Sequence, residues 1–202
     1  MIETLSKDKT MAKIIDLVPS ERLHLKEANG MVREDLISSI ISQQLAVKAA
    51  RVIHQRFLDL FPKGFPSNKK ILETSVEDLR SSGLSGQKAS YILNIAEHFH
   101  NNKWKNEDFH EMENEDIITK LTAIKGVGRW TSEMVLIFCL AKPDVFAVDD
   151  LGIQNAMIQF FKLEGSKKEI LTAMQKRSEK WKPFRSAASL YLWAARDLKI
   201  EI

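Results

Sequence analysis

The chain of 202 residues contains one cysteine, Cys139. A single thiol forms no intrachain disulfide and cannot supply a cysteine-held iron–sulfur cluster. No apolar run approaches the ~20 residues that a membrane-spanning helix needs. The opening, MIETLSKDKTMAKIIDLVP, interrupts every apolar stretch with charge and does not read as a signal peptide. Alternating strand-type patterns are nearly absent. The histidines, His24, His54, His98, His100 and His110, are scattered, with no Asp/Glu/His cluster at metal-ligand spacing, so no metal site is expected. No large charge of either sign is present: 30 Lys and Arg stand against 27 Asp and Glu, a formal net charge of +3. That weakly basic balance permits a nucleic-acid partner without requiring one. These absences leave an intracellular, reduced, soluble protein, long enough to bury a core in one large domain or two small lobes.

What is present reads as helix almost throughout. Met11, Ile14, Ile15 and Leu17 set a helical period over 5–17, stopped at Val18-Pro19. Residues 33–60 are periodic enough for two helices that meet near Ser42-Gln43-Gln44-Leu45, and Phe61-Pro62-Lys63-Gly64 ends the second. Ser67-Asn68 can cap a helix through Glu73, and Ser75 with Asp78 resembles a capping box. A turn over Gly83–Ala89 feeds a helix over 87–100 with an apolar stripe of Tyr91, Ile92, Ile95, Ala96 and Phe99. Residues 101–112 read as a polar loop, and a helix resumes over Asp116–Ala123. The most apolar helix is expected over 129–141, buried and ended by Pro143. Further helices are expected over 151–161, 167–179 and 184–198, the last started by Pro183.

Three groups of residues could carry chemistry. Gly126-Val127-Gly128 is a tight turn directly before a helix; its glycines allow positive φ and close approach, and the helix N-terminus offers unpaired amides. Together they suit a phosphate without reading base sequence, with Lys125 and Arg129 adding charge. The plainer reading is an ordinary helix–helix turn. Asp149-Asp150 precedes another helix. One of the two would cap it and the other would lie in its first turn, at a partly buried position suited to a base or an electrostatic stabiliser. Trp104, Trp130, Trp181 and Trp193 are core residues or stacking surfaces for a planar, electron-poor ligand. Lys176, Arg177, Lys180, Lys182 and Arg185 form either a solvated face or a second phosphate contact.

Taken in order, five blocks over roughly 33–198 resemble the helix–hairpin–helix DNA glycosylases, specifically their alkylpurine (3-methyladenine DNA glycosylase II) branch. They are LISSIISQQLAVKAA, GLSGQKASYILNIAEHF, LTAIKGVGRWTSEMVLIFCL, DVFAVDDLGIQ and WKPFRSAASLYLWAARD. The resemblance implies an all-α fold of two helical lobes with a helix–hairpin–helix motif and a catalytic aspartate at the cleft between them. One lobe would span 31–134 with the hairpin at about 121–131; the other would join 1–30 to 135–202. Asp150 corresponds to the family's essential aspartate. Trp130 stands where bifunctional glycosylase/lyases place a nucleophilic lysine, which implies no lyase chemistry. Trp130 and Trp193, with Met134, match the walls of the base pocket. Lys125, Gly126, Val127, Gly128 and Arg129 would grip DNA. Gln44 aligns best with the side chain that fills the gap left by a flipped nucleotide, Gln43 and Leu45 being the alternatives.

The expected partner is double-stranded DNA containing damaged bases, bound by a monomer in the cytoplasm and nucleoid or in the nucleus. No cofactor is implied, apart from a monovalent cation that the hairpin carbonyls could hold. The chain also departs from the family pattern. About 30 residues before the first block cannot supply the β-containing domain of longer bacterial relatives, and Met134 and Ala194 sit where some relatives have tyrosine. A non-catalytic hairpin protein that binds DNA, or a glycosylase for a neutral deaminated or oxidised base, are the competing expectations.

Overall fold

The computed structural model describes residues 1–23, 28–61 and 64–202; His24 and the expected helix stop at Pro62-Lys63 lie outside the described residues. Every regular element among them is helical, and none is long and apolar enough to cross a membrane. Two short helices open the chain, α1 (Ile2–Leu5) and α2 (Lys9–Leu17), in place of the single helix expected over 5–17. Asp8 makes the break, because its carboxylate accepts from the amides of Thr10 and Met11 and starts a new helix. The same carboxylate receives two bonds from Arg177, at 2.9 and 3.0 Å. Burial alone would raise the Asp8 pKa, but Arg177 and the two amides outweigh it and hold the group below the usual carboxylate range.

The chain divides into two compact units, Asn29–Val135 and Met1–Ala28 with Leu136–Ile202. The first carries α3 (Val32–Ser42), α4 (Val47–Asp59), α5 (Asn68–Leu72), α6 (Val76–Ser81), α7 (Gly86–Asn101), α8 (Asn114–Thr122) and α9 (Arg129–Met134). Serine starts three of them: Ser67, Ser75 and Ser85 each accept from the amide three residues on. α7 touches α3, α5 and α6, and its stripe of Ile92, Ile95, Ala96 and Phe99 is buried. Residues 101–112 are not simply a loop. A 3-10 turn, Asn106–Phe109, turns Phe109 inward, stacked on Phe99 at 5.8 Å and edge-on to Trp104 at 6.0 Å. Two aromatics in a polar stretch are too few to set a period, so sequence pattern passes over them. Trp104 is therefore a packing residue, with the Lys120 ammonium 4.9 Å above its ring.

α9 runs directly into a π-helical segment, Val135–Cys139. The helix expected to reach 141 therefore ends at Cys139: Lys142 N–H donates to Leu136 O at 2.8 Å and Ala141 takes φ +49°. The second unit continues with α10 (Leu151–Phe161), α11 (Lys167–Ser178) and α12 (Arg185–Asp197), and α12 packs on α2 and α10. Trp181 is fully buried, with Phe146 and Phe161 at 5.8 and 5.7 Å. The basic run at 176–185 is largely engaged inside this unit. Arg177 is held by Asp8 and lies 4.2 Å over Phe161, Lys182 pairs with Glu179, and Arg185 pairs with Asp144.

Candidate functional site

The turn between α8 and α9 is anchored from below. Leu121, Ile124 and Val127 are buried, and the Val127 amide donates to Ile124 O at 3.0 Å. Gly126 takes φ +105°, and a Cβ there would enter the ring of Tyr91, so only glycine fits. Gln87 Nε2 donates to the Tyr91 hydroxyl at 2.7 Å, and Asn94 Nδ2 donates to Lys125 O at 3.0 Å. α7 is thus the floor of the turn. Gly128 departs from expectation. Its φ of −94° is open to any residue, and a Cβ there would meet nothing within 4 Å. What glycine does here is leave the α9 N-terminus without a side-chain cap and open to approach. Among the described residues the amides of Gly126, Gly128 and Arg129 find no acceptor.

The charges beside this turn differ in kind. Lys125 is exposed. Arg129 donates to Glu115 at 2.6 and 3.1 Å and to Glu133 at 3.1 Å, and the Glu115 bonds lead the rise in its pKa against opposing burial. Arg129 therefore braces α8 against α9, and its charge is compensated locally rather than presented freely. Trp130 and Met134 lie one turn apart on a single face of α9. Trp130 is 44% exposed and Met134 half-buried.

The corner between α3 and α4 falls at Gln43–Ala46. Gln44 holds φ +58°, unusual for a residue with a side chain. Gln43 is half-buried, while Leu45 and Val47 are 38% and 72% exposed. A groove of about 280 Å³ beside the corner is lined by Ser38, Ser42, Leu45, Val47, Ala50, Arg51 and His54. His54 Nε2 lies 3.1 Å from the Ser38 hydroxyl, and burial lowers its pKa.

In the other unit, Asp150 is the N-cap of α10 and accepts from the Ile153 amide at 2.8 Å. α10 begins at Leu151, where it was expected, so the second aspartate is the cap, no carboxylate stands in the first turn, and Asp149 precedes the cap, exposed. Trp193 Nε1 donates to the same Asp150 Oδ1, also at 2.8 Å. Phe138 stacks on Trp193 with centroids 5.7 Å apart. Trp193 was expected as a pocket wall; its indole also fixes the carboxylate, and Phe138 already covers part of its ring. The approach to Asp150 is laced to α12: Ser186 bonds Val145 N and Lys142 O, and Arg185 bonds Asp144. A cavity of about 270 Å³ beside Trp193 is lined also by Phe138, Leu190, Ala194, Arg22 and Arg196. Sequence reasoning missed Gly152, whose absent Cβ leaves room for the Arg196 guanidinium next to Asp150. A glycine at the second position of a helix was the available signal. No group of three or more His, Cys, Asp or Glu side chains that could hold a metal occurs among the described residues.

An all-helical fold with unpaired amides at a helix N-terminus suits contact with a phosphate backbone. Comparison supplies the class. Residues 37–183 match the family described as HhH-GPD superfamily base excision DNA repair protein, and the chain belongs to that superfamily. It is 36% identical to DNA-3-methyladenine glycosylase 1 of Schizosaccharomyces pombe over 195 residues, 95% of this chain and 84% of the relative. The solved structure of the S. pombe 3-methyladenine DNA glycosylase in complex with abasic DNA superposes with a TM-score of 0.79 at 33% identity, covering 97% of this chain and 96% of that one. A DNA-3-methyladenine glycosidase from Bacillus halodurans gives a TM-score of 0.79 at 32% identity, covering 95% and 86%.

Proposed function

We propose that the protein is a monofunctional DNA glycosylase of the 3-methyladenine II type, releasing alkylated purines such as 3-methyladenine and 7-methylguanine from duplex DNA in base excision repair. Relatives and solved structures bearing the 3-methyladenine glycosylase name support the substrate class. The observation that carries the chemistry is the Asp150 carboxylate, held by the Ile153 amide and the Trp193 indole.

A base inside a duplex is unreachable, so the nucleotide has to be flipped out. The amides of Gly126, Gly128 and Arg129, with Lys125, hold backbone phosphate. Gln44, with Gln43 and Leu45 beside it, props the gap, at an unstacking cost of a few kcal/mol. Alkylation at N3 or N7 makes the purine cationic and already a good leaving group, so acid catalysis matters little. Positive charge develops on the sugar as the glycosidic bond breaks. Asp150 stabilises that charge and orients the attacking water. The resemblance assigns Trp130, Trp193 and Met134 to the base, where aromatic faces would favour an electron-poor ring. The products are a free base and an abasic site. Trp130 in place of a lysine leaves no amine at that position to form a Schiff base, so strand cleavage is not part of the reaction.

No cofactor takes part in the proposed reaction. The carbonyls of Ile124 and Lys125 each accept one hydrogen bond and retain a second lone pair, which fits the sharing of a monovalent cation at the hairpin. The protein would act as a monomer wherever genomic DNA lies, nucleoid or nucleus.

The test is base release from methylated duplex DNA, read by chromatography. Asp150→Asn keeps an oxygen for the Ile153 and Trp193 donors but removes the charge, so release should be abolished while abasic-DNA binding stays nearly intact. Full activity in that variant would overturn the mechanism. Borohydride should trap no DNA–protein adduct with the wild type, and trapping would contradict the monofunctional reading.

A further inference from the structure

The corner at Gln43–Leu45 is held in a conformation that its own sequence does not favour. Gln44 takes φ +58°, where a side-chain-bearing residue costs about 1–2 kcal/mol relative to right-handed backbone. Such a residue persists where its surroundings over-determine it. The backbone closes the corner with Leu45 N–H donating to Ser42 O at 3.2 Å, and one side chain from another helix reaches it as well. Lys88 Nζ, from the first turn of α7, donates to Ile41 O at 2.9 Å and to Gln43 O at 2.7 Å. The first is a carbonyl of the last turn of α3, the negative end of that helix; the second immediately precedes Gln44. Lys88 makes no ion pair among the described residues, so the carbonyls are its partners, and burial lowers its pKa. The same helix carries Tyr91 under Gly126 and Asn94 on Lys125 O. Lys88 and Asn94 are separated by about 9 Å along the helix axis.

We propose that Lys88 is a positioning residue for base flipping: it clamps the Ile41 and Gln43 carbonyls, holds Gln44 left-handed, and through α7 sets the corner in register with the Gly126 hairpin. The proposal rests on the glycosylase reading, in which this corner enters the duplex. α7 is then a ruler between two DNA contacts, one propping the gap and one holding phosphate. Without the clamp the corner still exists, but its tip samples other conformations before each flipping event.

The experiment compares Lys88→Met, which keeps the length and loses the donors, with wild type under single turnover on two substrates. One carries the alkylated purine fully paired; the other carries it unpaired in a bulge, already partly unstacked. On the paired duplex the variant should be slower by on the order of 10²-fold, the scale of a misplaced contact. On the bulge it should fall by less than about threefold, because the flipping cost is already reduced there. Lys88→Arg, with charge and donors kept, should recover most of the paired-duplex rate. Equal loss on both substrates, whether from misfolding or otherwise, or no loss on either, overturns the positioning role. So does a Lys88→Arg variant as slow as Lys88→Met. Absence of base release by the wild type would instead reject the glycosylase reading itself.

Discussion

Two turns in the Asn29–Val135 unit have nearly the same backbone and different ends. Gly83 and Gly126 take φ +102° and +105°, and each is followed by a buried apolar residue, Leu84 or Val127. Each then reaches an extended N-cap, Ser85 before α7 and Gly128 before α9. Ser85 closes its helix by accepting from the Lys88 amide at 3.2 Å. Gly128 has no side chain with which to do the same. One turn satisfies its own helix terminus and serves the fold. The other leaves its amides without an acceptor among the described residues. The difference lies in the cap and not in the glycine at positive φ, which both share: the second glycine of Gly126-Val127-Gly128 stands where the other turn has Ser85.

The largest effect should come from Gly126→Ala. It combines an unfavourable φ with a collision against the Tyr91 ring, at about 2–5 kcal/mol of stability. Chemical denaturation should show the loss. Adding Tyr91→Ala should return the collision part and leave the φ part, which separates floor from turn. Ser85→Ala should cost about 1 kcal/mol in the same measurement. Gly128→Ser is the smallest in stability and the most direct test of the contrast. The serine has room, caps α9 and raises stability by a few tenths of a kcal/mol, while its hydroxyl competes with phosphate for the amides. Abasic-DNA affinity, read by fluorescence anisotropy, should then fall roughly tenfold. Ser85→Ala should move that affinity less. If Gly128→Ser binds as tightly as wild type, the two turns do not differ in function.

Much of this was legible in the chain because the signals are local. Ser75 with Asp78, the apolar stripe of α7 and the apolar residues Leu121, Ile124 and Val127 each announce themselves within a few residues. The Asp149-Asp150 pair announced a helix cap without saying which of the two makes it, and the structure gives the cap to Asp150, the residue that the resemblance also pointed to. The supports of these residues were not legible, because they come from far along the chain. Trp193 reaches Asp150 across 43 residues, Lys88 reaches Gln43 across 45, and Asn94 reaches Lys125 across 31. No period or motif encodes such pairs. The carboxylates that occupy Arg129 show the converse: a basic residue beside a glycine turn looks free until the helix facing it is in place.

The order in which the chain is made bears on how the two units form. Asn29–Val135 is one continuous stretch and can begin to fold as soon as it has emerged. The other unit draws on both ends, so residues 1–28 must wait for 136–202, several seconds of synthesis at about 5–20 residues per second. Through that interval α2 stays without α12, its helical partner, and Asp8 without Arg177, 169 residues further on. The hairpin between α8 and α9 is therefore complete on the ribosome before the Asp150 carboxylate has its indole, and the clasp between Asp8 and Arg177 is among the last contacts that can close.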